Sequence, residues 1–261
     1  MTDVQEPIGR GAALPPTQCI GSADAVIGRK LASHTEISTA EITLLLDLVH
    51  GPVTFKPGAM IAASGERLDR ATLMIEGLAC RSKILADGRR QILSLLLPGD
   101  VIDAHASLLG ERDDNIEALT ACRIGRASQN QLTIIGLAHP RLAEALLREA
   151  LIEGAIWREW VINVGRRSTL EALAHLICEL KLRMDAVGMG ADGAYPFGLT
   201  QQDLADALGV TAIHLNRVSK MLRATGTLEL KAKTLVIRDW PRLLALAHFS
   251  PGYLHLDRSA A

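Results

Sequence analysis

The chain has 261 residues, 28 Lys and Arg against 29 Asp and Glu, a formal net charge of -1 and 48% hydrophobic residues. At roughly 150 residues per domain that length predicts one or two domains, and an apolar fraction this high with so little net charge argues against disorder of the whole chain. No apolar run approaches the ~18 residues of a membrane-spanning helix, and aromatics make up only 3%, too few for a base-stacking platform. The N-terminus lacks a basic segment followed by an apolar one, which argues against a secretory signal. Cys19, Cys80, Cys122 and Cys178 are widely spaced with no CxxC. That argues against a zinc ribbon or a disulfide framework and suits a reducing cytoplasm.

The charge is unevenly distributed. Residues 166–261 hold 12 Lys and Arg against 9 Asp and Glu, net +3, so residues 1–165 are net -4. Between Thr211 and Arg238 stand six basic residues and one acid, Glu229. The split predicts two modules, only one facing a polyanion; on charge alone an ordinary solvated face is the other reading.

Residues 1–36 show little periodicity, with breakers at Gly9-Arg10-Gly11 and Pro15-Pro16, and read as an extended arm with a short turn. Ser38-Thr39-Ala40-Glu41 has capping-box spacing ahead of Ile42, Leu45 and Leu48 and predicts a short helix ending near Gly51. From Val53 to about Arg126 turn signals recur: Pro57-Gly58, Ser64-Gly65, Glu76-Gly77, Asp87-Gly88 and Pro98-Gly99. Strand-like runs lie between them at Thr72–Ile75, Leu78–Leu85 and Gln91–Leu97, with Asp87-Gly88 as a hairpin turn. Short strands with regular turns predict a sandwich or a barrel.

After His139-Pro140 the period becomes helical, running through Leu142, Leu146, Leu147, Leu151, Trp157, Trp160, Val161 and Val164 with Gly154 as the main breaker. So long an apolar stripe needs a partner, either the β module or the same helix of a second subunit. A second helix is predicted over Ser168–Met184, and the glycine-rich stretch Val187–Gly193 reads as a connecting loop because no strand precedes it.

Thr200 reads as a helix N-cap, Leu204, Ala205 and Leu208 as inward positions, Gly209 as the left-handed residue of a tight turn, and Thr211 as the cap of a second helix over Ala212–Ala224. Inward positions of that helix are Leu215, Val218, Met221 and Leu222, which leaves Asn216, Arg217, Lys220 and Arg223 outside. Two short helices joined at a glycine turn form a helix-turn-helix whose second helix suits a major groove. Arg pairs bidentately with guanine and Asn with adenine, while Lys220 and Arg223 suit phosphates. Leu228 and Leu230, then Leu235 and Ile237, alternate on two runs flanking Lys231-Ala232-Lys233. That is a hairpin wing whose Lys231 and Lys233 suit flanking phosphates. Asp239-Trp240-Pro241 starts a last helix over Arg242–His248.

In this order of modules the chain resembles the Crp/Fnr superfamily of bacterial transcription factors. The resemblance covers about residues 35–256 and rests on Pro98-Gly99-Asp100, Gly165-Arg166-Arg167-Ser168, the Thr200–Arg223 segment and the closing Phe249–Leu256, which is similar to the ending of one proteobacterial branch. It implies an α+β chain: an arm (1–36), a double-stranded β-helix or jelly-roll sensor domain like those that bind cyclic nucleotides (37–138), a dimerisation helix (139–165) and a winged helix-turn-helix (166–261). It also implies a homodimer with Leu147, Leu151, Trp157, Trp160, Val161 and Val164 on the dimer helix, double-stranded DNA with two-fold symmetric half-sites, and contact with RNA polymerase. Ala212, Ile213, Asn216 and Arg217 match the family's base-reading positions, and Thr200, Gln202, Thr211 and Lys220 its phosphate contacts. Many members carry Glu where this chain has Ile213, which cannot accept from cytosine and is suited instead to a thymine methyl.

The sensor departs further. Cyclic-nucleotide-binding members follow Pro-Gly-Asp with Phe-Gly-Glu, whose Glu takes the ribose hydroxyl; here the stretch is Val101-Ile102-Asp103-Ala104. The arginine that holds the cyclic phosphate matches Arg112, but Asp113 and Asp114 follow it, and like charges at ~4–6 Å oppose an anion. The expectation is therefore a pocket around Asp103, His105, Arg112 and Asp113 for an unidentified small-molecule effector other than cyclic AMP. With Cys19 alone near the N-terminus no iron–sulfur cluster is expected, and no cofactor or metal. His34, His50 and His105 are haem-ligand candidates that read better as surface or hydrogen-bonded side chains, and Cys80 with Cys122 read better as core hydrophobes than as a redox pair. No metal triad, nucleophile elbow or P-loop points to an enzyme. The competing function is a ligand- or redox-sensing module with weak or vestigial DNA binding.

Overall fold

The structure, a computed structural model, describes residues 20–190, 193–231 and 233–256, without the side chains of residues 20–24 and 107. Cys19 and the start of the arm lie outside it. The remainder of the arm is not extended: α1 spans Ile20–Ala32 and buries Ile27 and Leu31 completely. Gly28 is the point where α1 crosses the next helix, since a Cβ there would meet Ile42 at 3.3 Å. That helix, α2 (Thr39–Asp47), starts at the expected capping box, with Ser38 and Glu41 exchanging side-chain to backbone hydrogen bonds.

Eight strands follow: β1 (His50–Phe55), β2 (Met60–Ala62), β3 (Arg70–Glu76), β4 (Ala79–Ile84), β5 (Arg90–Leu96), β6 (Val101–Ile102), β7 (Asn115–Ala118) and β8 (Cys122–Ser128). They form two antiparallel four-stranded sheets, ordered β1-β8-β3-β6 and β2-β7-β4-β5. Gly88, at φ 85°, makes the β4–β5 turn that Asp87-Gly88 announces. Between the sheets pack Ile61, Met74, Ala79, Leu96, Ile102, Ile116 and Ile124. The outer face of the first sheet is also covered, because Leu73 and Ile75 of β3 turn away from Met74 to meet Ile27, Leu31, Leu45 and Leu142. Burial on both faces explains why β3 reads as a continuous apolar run rather than an alternating one.

Helix resumes earlier than the sequence reading placed it. α3 (Gln129–Ala138) precedes Pro140, and its weak apolar stripe buries only Gln129 and Leu132. α4 (Pro140–Gly165) is the long helix, with proline at its start where no amide partner is lost. α5 (Thr169–Ala186) begins at a second capping box, Ser168 with Glu171. The loop after it leads to β9 (Ala194–Pro196), a strand that completes a three-stranded wing sheet, β10-β11-β9, with β10 (Leu228–Lys231) and β11 (Thr234–Ile237). α6 (Gln201–Leu208), α7 (Ala212–Ala224) and α8 (Trp240–Ala247) complete the helices, and a 3-10 turn over Pro251–Leu254 closes the described chain.

One core runs from the outer face of the second sheet (Leu78, Cys80, Ile92, Leu95) through α4 (Ile152, Ile156, Trp160) and α5 into the helix-turn-helix without a break at residue 166. Trp160 belongs to this core, 6% exposed, and donates to Glu179. It is therefore not on the free face of the dimer helix, where the sequence reading placed it. Trp157, 41% exposed, lies on the other side. Tryptophans three residues apart are rotated by ~300°, enough to separate them when the boundary between buried and free faces runs between. No helix among the described residues is long and apolar enough to cross a membrane.

Because α1 is core and not arm, Leu31→Ala is expected to lower the unfolding free energy by roughly 2–5 kcal/mol in urea titrations. A change within ~0.5 kcal/mol, the size of a surface substitution, would show that α1 does not pack there.

Candidate nucleic-acid interface

α6 and α7 meet at Gly209, whose φ of 66° is the left-handed turn conformation that a Cβ disfavours. Thr200 caps α6 in a reciprocal box with Asp203, and Thr211 caps α7 by accepting from the His214 amide at 3.2 Å. Leu204, Ala205, Leu208, Leu215, Val218 and Leu222 are buried. Ile213, Asn216, Arg217 and Lys220 are all exposed, and steps of three, one and three residues place them on one face of α7. Ala212 at the start of the helix is half-buried. Met221, expected inward, is 51% exposed and extends the outer face. At seven residues from His214 and eight from Ile213 it lies on their side of the helix, away from Leu215 and Leu222.

Ile213 is 87% exposed. An isoleucine this exposed, at the N-terminal end of a row that continues into Arg217 and Lys220, contributes nothing to the core, and its natural complement is another apolar group. Arg217 does not stand free: an Nη2 lies 3.2 Å from His214 Nδ1, whose Nε2 lies 3.1 Å from Thr169 Oγ1. Residue 214 thus steadies the guanidinium, a role that needs the start of α5 to be near and is invisible in the helix sequence alone. Exposed Gln202 donates to Asp206 at 2.6 Å, and exposed Arg223 donates to Ser219 O at 3.3 Å. Lys231 and Lys233 are exposed at the wing tip, where Lys231 opposes Thr234 and Lys233 takes a φ of 61°. The face therefore carries a capped helix end, a row of exposed side chains and a basic wing on one side of the reading head.

The head is seated on the sensor by charge. Arg90, the first residue of β5, donates to Asp206 Oδ2 and Asp203 Oδ1 at 2.7 Å each and to Glu117 Oε2 at 2.9 Å. Gln91 donates to Ala207 O at 3.3 Å. Behind the head, fully buried Glu179 on α5 accepts from Trp160 at 3.1 Å, Tyr253 at 3.0 Å and Arg183 at 3.2 Å. Burial pushes its carboxyl up against the opposing pull of those donors. His175 stacks on Tyr253 at 5.8 Å, and burial, helped by the Arg167 cation, pushes it down to about 3.

A cavity of about 290 Å³ lies among Asp103, His105, Arg112 and Asp113, and its buried arginines and carboxylates pair with one another. Arg112 binds Asp103 and, at 2.9 Å, Asp114. Arg81 binds Asp103 at 2.7 Å, Asp114 at 2.8 Å and Glu153 of α4 at 2.9 Å. Desolvation works against the Arg81 charge, yet Glu153, Asp103 and Asp114 raise its pKa above the ordinary arginine range. Asp113, expected beside Arg112, points outward to Lys83 at 2.7 Å; its neighbour Asp114 takes the inward place, as alternation toward β7 requires. His105 is exposed at the rim. Arg81 and Glu153 were not singled out from sequence, since nothing local ties residues 72 positions apart.

The remaining candidates do not assemble. His34 is buried against Glu149 and Thr35, while His50 and His105 are exposed. Cys80 and Cys122 sit in different cores, and burial pushes the Cys80 thiol up to about 12 and raises that of Cys122. Among the described residues no group of three or more His, Cys, Asp or Glu side chains is arranged to hold a metal ion.

Residues 171–246 match the Crp-like helix-turn-helix domain, and residues 52–135 match the cyclic nucleotide-binding domain. The nitrogen fixation regulation protein FixK of Bradyrhizobium diazoefficiens is 30% identical over 177 residues, which cover 67% of this chain and 72% of that protein. The transcriptional activator protein FnrL of Cereibacter sphaeroides is 26% identical over 197 residues, covering 73% and 78%. Among solved structures, FixK2 from Bradyrhizobium japonicum superposes with a TM-score of 0.69 at 22% identity, over 77% of this chain and 98% of that one.

Removing one cation from the buried cage leaves Arg81 alone against Asp103, Asp114 and Glu153. Arg112→Met is expected to cost about 3–5 kcal/mol of folding free energy by chemical denaturation. A neutral result would mean that Arg81 alone compensates Asp103 and Asp114, and that Arg112 is not needed to hold them.

Proposed function

We infer that this chain, which belongs to the Crp/Fnr superfamily of bacterial transcription regulators, works as a homodimer that reads a two-fold symmetric DNA site with the outer face of α7. The observation that carries this reading is the row Ile213, Asn216, Arg217 and Lys220, exposed on one face between the caps of the two helices and the lysines of the wing. In a major groove Arg217 pairs with guanine and Asn216 with adenine, and Ile213 meets a thymine methyl. Ala212, half-buried at the first turn, limits how closely the helix end approaches the base edges. Thr200, Gln202, Thr211, Lys220, Arg223, Lys231 and Lys233 take backbone phosphates and set the register.

Dimerisation follows from α4. Leu147, Leu151, Trp157, Val161 and Val164 are 41–72% exposed along its free side, while its other side is buried in the chain's own cores. The steps Leu147, Leu151, Gly154, Trp157, Val161 and Val164 are four, three, three, four and three residues, close to the 3.5-residue repeat of a two-stranded seam. A second copy of the helix covers that stripe and sets two α7 helices one DNA turn apart. Contact with RNA polymerase and action in the cytoplasm belong to the same reading.

The sensor's effector is not cyclic AMP. A cyclic phosphate would need the Arg112 guanidinium, which Asp103 and Asp114 hold, and would meet a cage of two cations against three carboxylates with Glu153. The redox alternative gains no support from thiols kept protonated by burial.

Two measurements test this. On an operator found by genome-wide footprinting with purified protein, Arg217→Ala is expected to lose about 1–3 kcal/mol of binding and to relax specificity at one base pair. Lys220→Ala should weaken binding to all sequences and reduce the salt slope by about 1. Wild-type binding with no salt dependence would sink the reading. Calorimetry with cyclic AMP is expected to show no binding tighter than about 100 μM, an affinity of roughly 5–6 kcal/mol; a low-micromolar constant would contradict the cage argument.

A further inference from the structure

Arg90 is the meeting point of two bodies. It follows the β4–β5 hairpin turn, and its guanidinium spends each of its nitrogens on a different carboxylate: Nη1 on Glu117 of the sensor sheet, Nη2 on Asp203 and Nε on Asp206 of α6. Its side chain is 19% exposed, and those of Asp203 and Asp206 are 9% and 10% exposed. Asp203 works in two directions. Its Oδ1 accepts from Arg90, while its Oδ2 accepts from the Thr200 amide at 2.9 Å and the Thr200 hydroxyl at 2.6 Å. The grip on the sensor therefore passes directly into the cap of the helix-turn-helix. Beside it, Gly209 leaves so little room that a Cβ there would meet Val164 of α4 at 3.3 Å and Gln91 at 3.6 Å.

We propose that Arg90 is a positioning residue for DNA reading: it fixes α6 on the sensor sheet, and so fixes the separation of the two α7 helices in the dimer. The proposal rests on the dimeric DNA-reading function inferred above and adds to it the residue that sets half-site spacing. One cation among three carboxylates is a net negative site, so Arg90 is not itself a phosphate ligand. Its planar fork is what the task needs, because three acceptors from two bodies are held in one plane, which a lysine ammonium does not specify. With the head held, binding meets no cost of ordering it; with the head released, that cost falls on the complex.

The test uses the full-length dimer and palindromic operators whose spacers differ by one base pair. Wild type is expected to prefer one spacing. Arg90→Gln is expected to lose about 2- to 30-fold in affinity at that spacing and less at the others, which flattens the preference. The dimer mass and the salt slope stay as in wild type, the slope because no phosphate contact is lost. The charge exchange Arg90→Asp with Asp206→Arg is expected to recover part of the preference. Asp206→Asn, which leaves Arg90 with Asp203 and Glu117, should flatten it partially and serves if Arg90→Gln does not fold. Unchanged affinity and spacing in these variants would overturn the proposal, as would a salt slope lower by about 1, which would make Arg90 a phosphate contact. Absence of salt-dependent binding by wild type would instead defeat the DNA-reading function itself, so the two failures are distinct.

Discussion

The carboxylate of Glu179 is the buried charge on which α4, α5 and the closing segment meet. It is wholly buried on α5 and accepts from Trp160 of α4, from Arg183 one turn along α5 and from Tyr253 of the closing segment. Arg183 carries the connection onward, donating to Leu95 O at 2.9 Å and Asp100 at 2.8 Å in the sensor, and Asp100 lies 3.5 Å from Lys30 of α1. A buried charge is tolerated only where its partners are in place. Glu179 thus ties the placement of α4 and of the closing segment to α5. Apolar packing between the same elements would hold them together without specifying the angle as sharply.

The same constraint explains the division of labour on α4. Its inner side is committed three times over, to the outer sheet face through Leu142 and Leu146, to the second sheet through Ile152 and Ile156, and to α5 through Trp160. Only the opposite stripe remains for a second subunit. The buried hydrophilic residues Glu149 and Asn163 on the inner side are paired as well, Glu149 with Lys30 and His34, Asn163 with Arg167 at 2.8 Å. A helix fixed this firmly from within presents its outer stripe as a rigid surface, which favours a two-stranded seam over an adaptable contact.

What could be read from the sequence was what is local. Thr200, Gly209 and Thr211 act within four residues of themselves, so the reading head was legible to its caps, and Asp87-Gly88 announced its hairpin for the same reason. Partnership across the chain was not legible. α1 escaped because its stretch shows little periodicity, and Gly28 becomes a helix-crossing point only when Ile42 is beside it. Trp160 and Trp157 look alike in a stripe; which one faces inward depends on Glu179, 19 residues beyond Trp160. Met221 passed for core because apolar residues on a short amphipathic helix are assigned by period alone. In the sensor, Arg112 and its acidic neighbours indicated a site hostile to anions, whereas the cage that makes it so also needs Arg81 and Glu153 from two other places.

That cage also bears on how the sensor can act. In a pocket built for an anionic ligand, the ligand supplies the charge that draws the sheet and the long helix together. Here Glu153 of α4 already reaches Arg81 of β4, and Asp103 and Asp114 already hold Arg112, so the link between sheet and helix is made by the chain itself. The strand that leaves the cage at Asp114 carries Glu117 three residues later, and Glu117 is the sensor's hold on Arg90. Cage and clamp are thus two ends of one short strand, and the placement of the head follows from ion pairs internal to the protein. A ligand in that cavity changes the placement of the head only by as much as it binds one arrangement of these pairs better than another.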